Sequence, residues 1–489
     1  MSFKNLTTAK TFILEVYRDM TSLSFKDFLV YAKYWLLVVG SIAKLALKRG
    51  PGFFGELKRY PWMLDLLRVT GMMRRLSRGR SGLYLEAIMM SVYSVVATLA
   101  QDMEDVFYHK DRLIINKEVL PPDILRAMGL KVWLLEAMGA LRAFIVAECD
   151  LKYIDEAENA GVNPDACSMP KTALGMVLKG HLPNGIAMVS TNLPCDAGST
   201  TYSYFEQEYG LPTYRLDVPY KFYNERAEKA FAEDLKEMIQ WLEKNTPGRM
   251  DWNRLKEICE GRNRMMKLEL ELWDMIRVRP APLAAEAVGL AHIWHLLYFA
   301  GDRDNPICLR TYEKLVEFAK KNLATGTPAT KNERYRAIIW NPPFPCFYDI
   351  INWAERTYGV VVVNDSMTFN HHPFIDTSTP DSMLRGLAAI TMQGPMVRHT
   401  RGPAENYLDD IFLMVKQFDI DMVWVCNHVG CKTAQAMNGI LREKCRELKL
   451  PLLVMDFDHL DTRIISHDNA MKQFEFFMQN VMNAPRIDK

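Results

Sequence analysis

Apolar residues in the first 110 positions recur at helical spacing. Phe12, Ile13, Val16 and Tyr17, then Phe28, Leu29, Ala32 and Leu36, then Leu64, Leu67 and Met72 mark successive stripes. Breaks at Gly50-Pro51-Gly52 and around 79–82 divide the stretch, which predicts a helical N-terminal extension of four or five helices over 1–110, outside the main lobes. Past Leu120-Pro121-Pro122 the texture changes to short β-branched and aliphatic runs, each followed by a loop and a helical pattern. Candidate strands fall at 130–135, 185–190 and 213–217, then at 337–340, 359–363, 422–426 and 452–455. Strands alternating with helices build parallel sheets from βαβ units, and the strand-poor stretch from 225 to about 323 reads as a connecting helical layer. The expected fold is α/β, with two Rossmann- or flavodoxin-like lobes: the first over 111–270, the second, with the helical connector, over 271–489. No internal repeat of fixed period is visible in the sequence.

The composition of the 489 residues, 49 % hydrophobic and 24 % charged, is that of a globular protein and excludes disordered and collagen-like chains. A net charge of +1 offers no global attraction for nucleic acid. The charge is uneven, because residues 1–80 hold 15 Lys and Arg against 5 Asp and Glu, leaving 45 against 54 for the rest. The basic run at 68–80 would suit an anionic membrane surface or a partner, but a solvated face is the plainer reading, so peripheral membrane contact is not favoured. Glu15, Arg18, Asp19 and Lys26 interrupt any signal-peptide pattern. The uncharged stretches at 34–43 and 87–101 are short of the ~18 residues that span a bilayer. These features predict a cytoplasmic protein without a transmembrane helix.

Nine cysteines are too dilute for a disulfide framework, so the question is which of them do chemistry. No GxxxxGK[ST], GxGxxG, HExxH, GxSxG or CxxCH motif occurs. In open α/β sheets ligands gather at the carboxyl ends of strands. Cys195 lies there, in Thr191-Asn192-Leu193-Pro194-Cys195, and Cys431 lies there in the second lobe, in Asn427-His428-Val429-Gly430-Cys431. Both precede helical patterns, whose free N–H groups favour thiolate. Cys167, in the proline-flanked Asn163-Pro164-Asp165-Ala166-Cys167, also opens a helix. Three thiolates from separate loops would leave one iron of an iron–sulfur cluster open, but dispersed cysteines are as readily buried structural thiols, and spacing leaves both readings standing. Cys149, Cys259, Cys308 and Cys445 sit in helical patterns and read as core thiols, with Cys346 and Cys426 intermediate. The pairs His292/His295 and His371/His372 lack neighbouring carboxylates and read as structural. Asp456, Asp461 and Arg463 are expected to form a buried ion pair in the last lobe.

Several segments carry a family resemblance. Asp155-Glu156-Ala157-Glu158-Asn159-Ala160-Gly161 leads to Pro164-Asp165-Ala166-Cys167, and Leu211-Pro212-Thr213-Tyr214-Arg215-Leu216-Asp217-Val218-Pro219-Tyr220 follows. The run 423–432 then closes on Leu450-Pro451-Leu452-Leu453-Val454-Met455-Asp456-Phe457-Asp458 and Asp461-Thr462-Arg463. From about 121 to 481, in this order, the chain resembles the 2-hydroxyacyl-CoA dehydratase and benzoyl-CoA reductase family. The resemblance implies a [4Fe-4S] cluster held by Cys167, Cys195 and Cys431, an acyl-CoA substrate, a related second subunit or a second copy, and a separate ATP-dependent iron–sulfur activator. It further implies one-electron chemistry, in which a ketyl radical of the thioester expels the 2-hydroxyl. Alternatives of the same ancestry are a ring-reducing benzoyl-CoA reductase subunit, a double-cubane-cluster reductase and a non-catalytic electron relay. Glu136, at a strand end where the family often carries a glutamate, is the candidate for proton transfer, with a surface or capping role as the alternative. His428 is a candidate hydrogen-bond partner of cluster or substrate, or else simple polar lining.

Overall fold

The computed structural model describes residues 23–220, 223–284, 287, 289, 306–341, 345–366, 373–394 and 396–487. His292, His295, His371 and His372 lie outside the described residues. Five described α-helices precede the first strand: α1 (Phe25–Arg49), α2 (Gly52–Arg59), α3 (Met63–Leu66), α4 (Val69–Ser77) and α5 (Gly82–Tyr108). Ser24 caps α1 by accepting the Asp27 N–H at 3.1 Å, and Gly50, at φ 59°, ends it in a conformation that a side chain would strain. Among the described residues, α1 and α5 are long and apolar enough to cross a membrane by length and composition. They differ in burial: 72 % of the apolar window of α5 is inside the protein, as a core helix requires, against 17 % for α1.

The first sheet holds β1 (Leu113–Asn116), β2 (Lys131–Leu134), β3 (Ala187–Thr191) and β4 (Thr213–Leu216) in the order β2-β1-β3-β4, all parallel. Its helices include α6 (Ala137–Ile145), α7 (Ser168–Leu178) and α8 (Asp196–Tyr209). The connecting layer follows as α9 (Glu225–Asn245), α10 (Trp252–Ile276) and α11 (Ile307–Ala324). The second sheet holds β5 (Tyr335–Trp340), β6 (Val360–Asp365), β7 (Met422–His428) and β8 (Leu452–Phe457), again parallel and in the order β6-β5-β7-β8. Its helices include α12 (Pro380–Gln393), α13 (Glu405–Phe418) and α14 (Lys432–Ala436). The two lobes therefore share one flavodoxin-like winding, in which the chain reverses direction between the first and third strands and leaves a crevice at their carboxyl ends.

Three expectations need correction. β1 is missing from the expected strands, because Leu113-Ile114-Ile115-Asn116 is only four residues long and directly follows a long helix; it is nonetheless an inner strand, pairing Ile115 with both Trp133 and Met188. The helical extension is tied to both lobes. Arg80 forms a buried ion pair with Glu355 of the second lobe, and Arg142 of the first lobe binds Asp65 at 3.0 Å and Asp150 at 2.7 Å. With Arg80 buried and Arg75 donating to the Ile145 carbonyl at 3.0 Å, the basic run at 68–80 is not a wholly solvated face. Finally, the Asp461–Arg463 pair forms at 2.7 Å, but Arg463 is 42 % exposed and reaches across to Asp155 and Glu158 of the first lobe. Asp456 stands apart from that pair and accepts from Asn427 at 2.5 Å.

Candidate functional site

Cys167, Cys195 and Cys431 occupy the residues immediately before α7, α8 and α14, each at the mouth of a helix. The remaining six cysteines are buried, Cys346 and Cys426 included, whereas these three are half-buried. The Gly198 N–H reaches the Cys195 thiol at 3.5 Å, while the amides of Met169 and Ala434 act electrostatically on Cys167 and Cys431 without forming a cap hydrogen bond. These contacts favour the thiolate, yet burial outweighs them and raises all three pKa values above the ordinary thiol range. Cys195 and Cys431 act electrostatically on Cys167, and Cys431 acts on Cys195, so thiols from both lobes share one region.

The lobes are brought together at this point by a glycine. A Cβ at Gly430 would stand 2.3 Å from both the amide nitrogen and the Cα of Cys167, closer than any side chain permits. Around this contact Lys432 pairs with Asp165 at 2.9 Å, and the Leu460 N–H donates to Ser168 Oγ at 3.2 Å. Lys171, buried behind the loop, holds Glu158 at 2.8 Å and the Pro164 carbonyl at 2.7 Å. The Cys167 loop is thus clamped from both sides.

Glu136 follows β2 and leads into α6, and its environment is that of a neutral acid. Oε1 is buried without a hydrogen-bond partner among the described residues. Burial, then the neighbouring Glu118 carboxylate, pushes the pKa up to about 8 against the opposing charge of Lys117. Glu118 is anchored by the Tyr202 hydroxyl at 2.8 Å and by the amides of Glu136 at 2.5 Å and Ala137 at 3.2 Å. Lys117 is buried, with its ammonium 5.0 Å from the Tyr202 ring centre. Glu136 and Lys117 converge on the first turn of α8, where a Cβ at Gly198 would lie 3.3 Å from Glu136 Oε1 and 3.1 Å from Lys117 Nζ. The Glu136 charge also raises Cys195, which puts the acid beside that thiol. Lys117, Glu118 and Tyr202 were not singled out from the sequence. The usable signal was the apolar run 113–115 ending in Asn116-Lys117-Glu118, a strand end with charge attached.

His428 ends β7 with its ring fully buried, stacked on His459 and packed edge-on against Phe457. Its carbonyl accepts the Cys431 N–H at 2.9 Å, so the residue shapes the thiol loop through its backbone. On the second lobe's side, Tyr407 donates to Asn341 Oδ1 at 3.2 Å and interacts electrostatically with Cys431.

Among the described residues no three His, Cys, Asp or Glu side chains surround one point as a single metal ion requires. A four-iron cluster spreads its thiolates more widely, and three half-buried sulfurs at helix N-termini suit its anionic sulfur ligands. The donor chemistry fits a cluster better than a lone cation.

Two flavodoxin-like lobes that meet at cysteine-bearing strand-end loops define a class of two-lobed α/β proteins with a thiol-lined site. The pattern of the 2-hydroxyglutaryl-CoA dehydratase D-component family matches residues 119–481, and the chain belongs to that family. It is 22 % identical to one of the subunits of benzoyl-CoA reductase from Thauera aromatica, over 67 % of this chain and 79 % of that protein. It is also 22 % identical to the alpha subunit of (R)-2-hydroxyglutaryl-CoA dehydratase from Acidaminococcus fermentans, over 32 % of this chain and 33 % of that protein.

Proposed function

We propose that this chain is the [4Fe-4S] subunit of a 2-hydroxyacyl-CoA dehydratase, working with a related second subunit and a separate ATP-dependent iron–sulfur activator. The observation that carries the reading is the meeting of three half-buried thiols at helix N-termini, from both lobes, beside the acid Glu136, whose Oε1 is buried. Cys167, Cys195 and Cys431 would hold the cluster, which when bound supplies a one-electron donor and a Lewis-acidic iron. The chain's own part is proton management. At pH 7 Glu136 keeps its proton, with a pKa of about 8, and can give it to a departing hydroxyl. The resulting carboxylate is then the base for the β-hydrogen, while Lys117 stabilises the negative charge and the Tyr202–Glu118 hydrogen bond fixes the second carboxyl. Nine cysteines too dispersed for a disulfide framework suit a reducing compartment, the cytoplasm.

The wider match to a component of benzoyl-CoA reductase favours a second reading, reduction of an aromatic acyl-CoA ring, which needs the same electron source and the same acid. The deciding experiment is anaerobic. Purified protein is assayed with activator, ATP and either a 2-hydroxyacyl-CoA or an aromatic acyl-CoA, following ATP consumed per product and the cluster spectrum. Dehydration returns its electron each cycle and needs only catalytic ATP, whereas ring reduction consumes ATP in proportion to product. A spectrum unmoved by any acyl-CoA in any redox state, with no turnover, leaves the electron-relay role in place of both.

A further inference from the structure

An open cleft of about 710 Å³ lies beside the thiol region, lined by Tyr220 and Tyr223 from the first lobe's side and by Arg398, Thr400, Arg401 and Asn406 from the second. Its Tyr220 wall is within electrostatic reach of Cys195.

The two arginines of the cleft differ. Arg398 is answered within the fold: Asp410 accepts from its guanidinium at 3.2 Å and Gln393 Oε1 at 3.1 Å. Arg401 is 1 % exposed, and its Nε donates to the Met392 carbonyl at 2.8 Å. Its Nη1 is buried with no hydrogen-bond partner, and no carboxylate forms an ion pair with it among the described residues. The guanidinium lies 5.6 Å from the ring centre of Tyr223, whose hydroxyl is tethered to Glu228 at 2.9 Å. An aromatic face steadies a cation but does not neutralise it. No Asp or Glu lines the cleft among the described residues. A buried, uncompensated guanidinium is costly to keep, and its planar fork matches an oxyanion.

We propose that this cleft is an oxyanion subsite in which Arg401 binds a phosphate or carboxylate group of the substrate. The proposal rests on the acyl-CoA reading, in which the shared chemistry, an oxyanion, comes either from the nucleotide phosphates of the CoA or from a distal carboxylate on the acyl group. The volume is within the ~300–1,000 Å³ range of small-molecule sites.

The test is equilibrium binding to the full chain, without activator or turnover, comparing CoA, pantetheine, which lacks the nucleotide, and a glutaryl thioester of pantetheine, which carries only the carboxylate. If the nucleotide phosphates are the ligand, CoA binds, inorganic pyrophosphate competes, and Arg401→Gln weakens CoA at least about tenfold while leaving pantetheine unchanged. If the acyl carboxylate is the ligand, the glutaryl thioester shows that dependence and glutarate competes. Arg401→Gln gives up the Nε bond to the Met392 carbonyl, so affinities are compared only on a ligand-free variant shown to melt cooperatively. Competition in the wild-type protein keeps the test open if that variant misfolds. Equal affinities of wild type and a folded Arg401→Gln for every ligand, or failure of both small anions to compete, overturns the subsite. Binding through Arg401 without turnover would fail the dehydratase reading alone, whereas turnover unaffected by Arg401→Gln would fail the subsite alone.

Discussion

The two lobes run the same strand order and place a cysteine after the third strand of each, Cys195 after β3 and Cys431 after β7, yet their crevices hold opposite chemistry. The first lobe holds Lys117 buried and Glu118 and Glu136 half-buried at its strand ends. The second sets Asn341, Tyr407 and His428 at or near the corresponding ends, with Arg401 and Arg398 beyond. On the proposed reading, one winding repeated twice yields a proton-handling side and an anion-receiving side, with a thiol from each at their meeting point. Cys167 has no counterpart among the described cysteines of the second lobe; it belongs to the first lobe's contact with Gly430. The repeat escapes the sequence because strand order depends on which elements pack together, and this tolerates wide changes of residue so long as apolar periodicity persists.

The hardest break is to remove one lobe's thiol. Cys195→Ser and Cys431→Ser should each abolish cluster binding, read as iron and acid-labile sulfide per chain after anaerobic purification. Cys259→Ser and Cys445→Ser should retain it, because those thiols are buried in helices away from the site. Full iron content after loss of either Cys195 or Cys431 would show that a single lobe builds the site.

The proton-handling side is tested by Glu136→Gln, expected to lower turnover about 10²–10⁴-fold with little change in substrate affinity. Activity of the wild type should fall as pH rises through about 8, where the Glu136 acid ionises. Stability has the same sense. The folded carboxyl keeps its proton up to about 8 while the unfolded one loses it near its ordinary value of 4.5, so the native state binds more protons between those limits. Stability conferred on the protonated form is therefore lost as pH rises from about 4.5 to about 8 and is level above. Asp102, buried in α5 and also raised to about 8, contributes a like slope from outside the site. Denaturation midpoints against pH should flatten for Glu136→Gln and Asp102→Asn alike, whereas only the first should lose activity. A fall in turnover with Asp102→Asn would break the division of labour.

A smaller effect is expected at the junction. Gly430→Ala forces a methyl group into the Cys167 backbone and should cost about 1–3 kcal/mol with reduced iron occupancy. Gly439→Ala, in a second-lobe helix with nothing within 4 Å of the new Cβ, should leave stability unchanged or raise it by about 0.5–1 kcal/mol. Equal unfolding midpoints for the two variants would mean that the lobes are not held at Gly430. Least of all should Lys432→Ala matter. Its pair with Asp165 is more than half exposed, so the loss should stay below about 1 kcal/mol and shrink with salt in a melting series.

Much of this was legible in the chain. Seven of the eight strands announce themselves as short aliphatic runs before loops and helical stripes, because a strand buried in a parallel sheet needs apolar side chains on both faces. The same logic placed Cys195 and Cys431 at strand ends, and Cys167 and Glu136 at helix entrances, since these are properties of local order along the chain. What local order could not supply is which distant groups share a space. Glu136 is an unusual acid only because Glu118 and burial surround it, Arg80 is a core residue only because Glu355 meets it, and Arg401 Nη1 is left without a partner only because none of the described residues brings an acceptor to it. The strands and helix ends that carry these residues follow from apolar periodicity and punctuation in the sequence by itself. Their chemistry came from the tertiary structure, because solvation and Coulomb energies depend on three-dimensional neighbours.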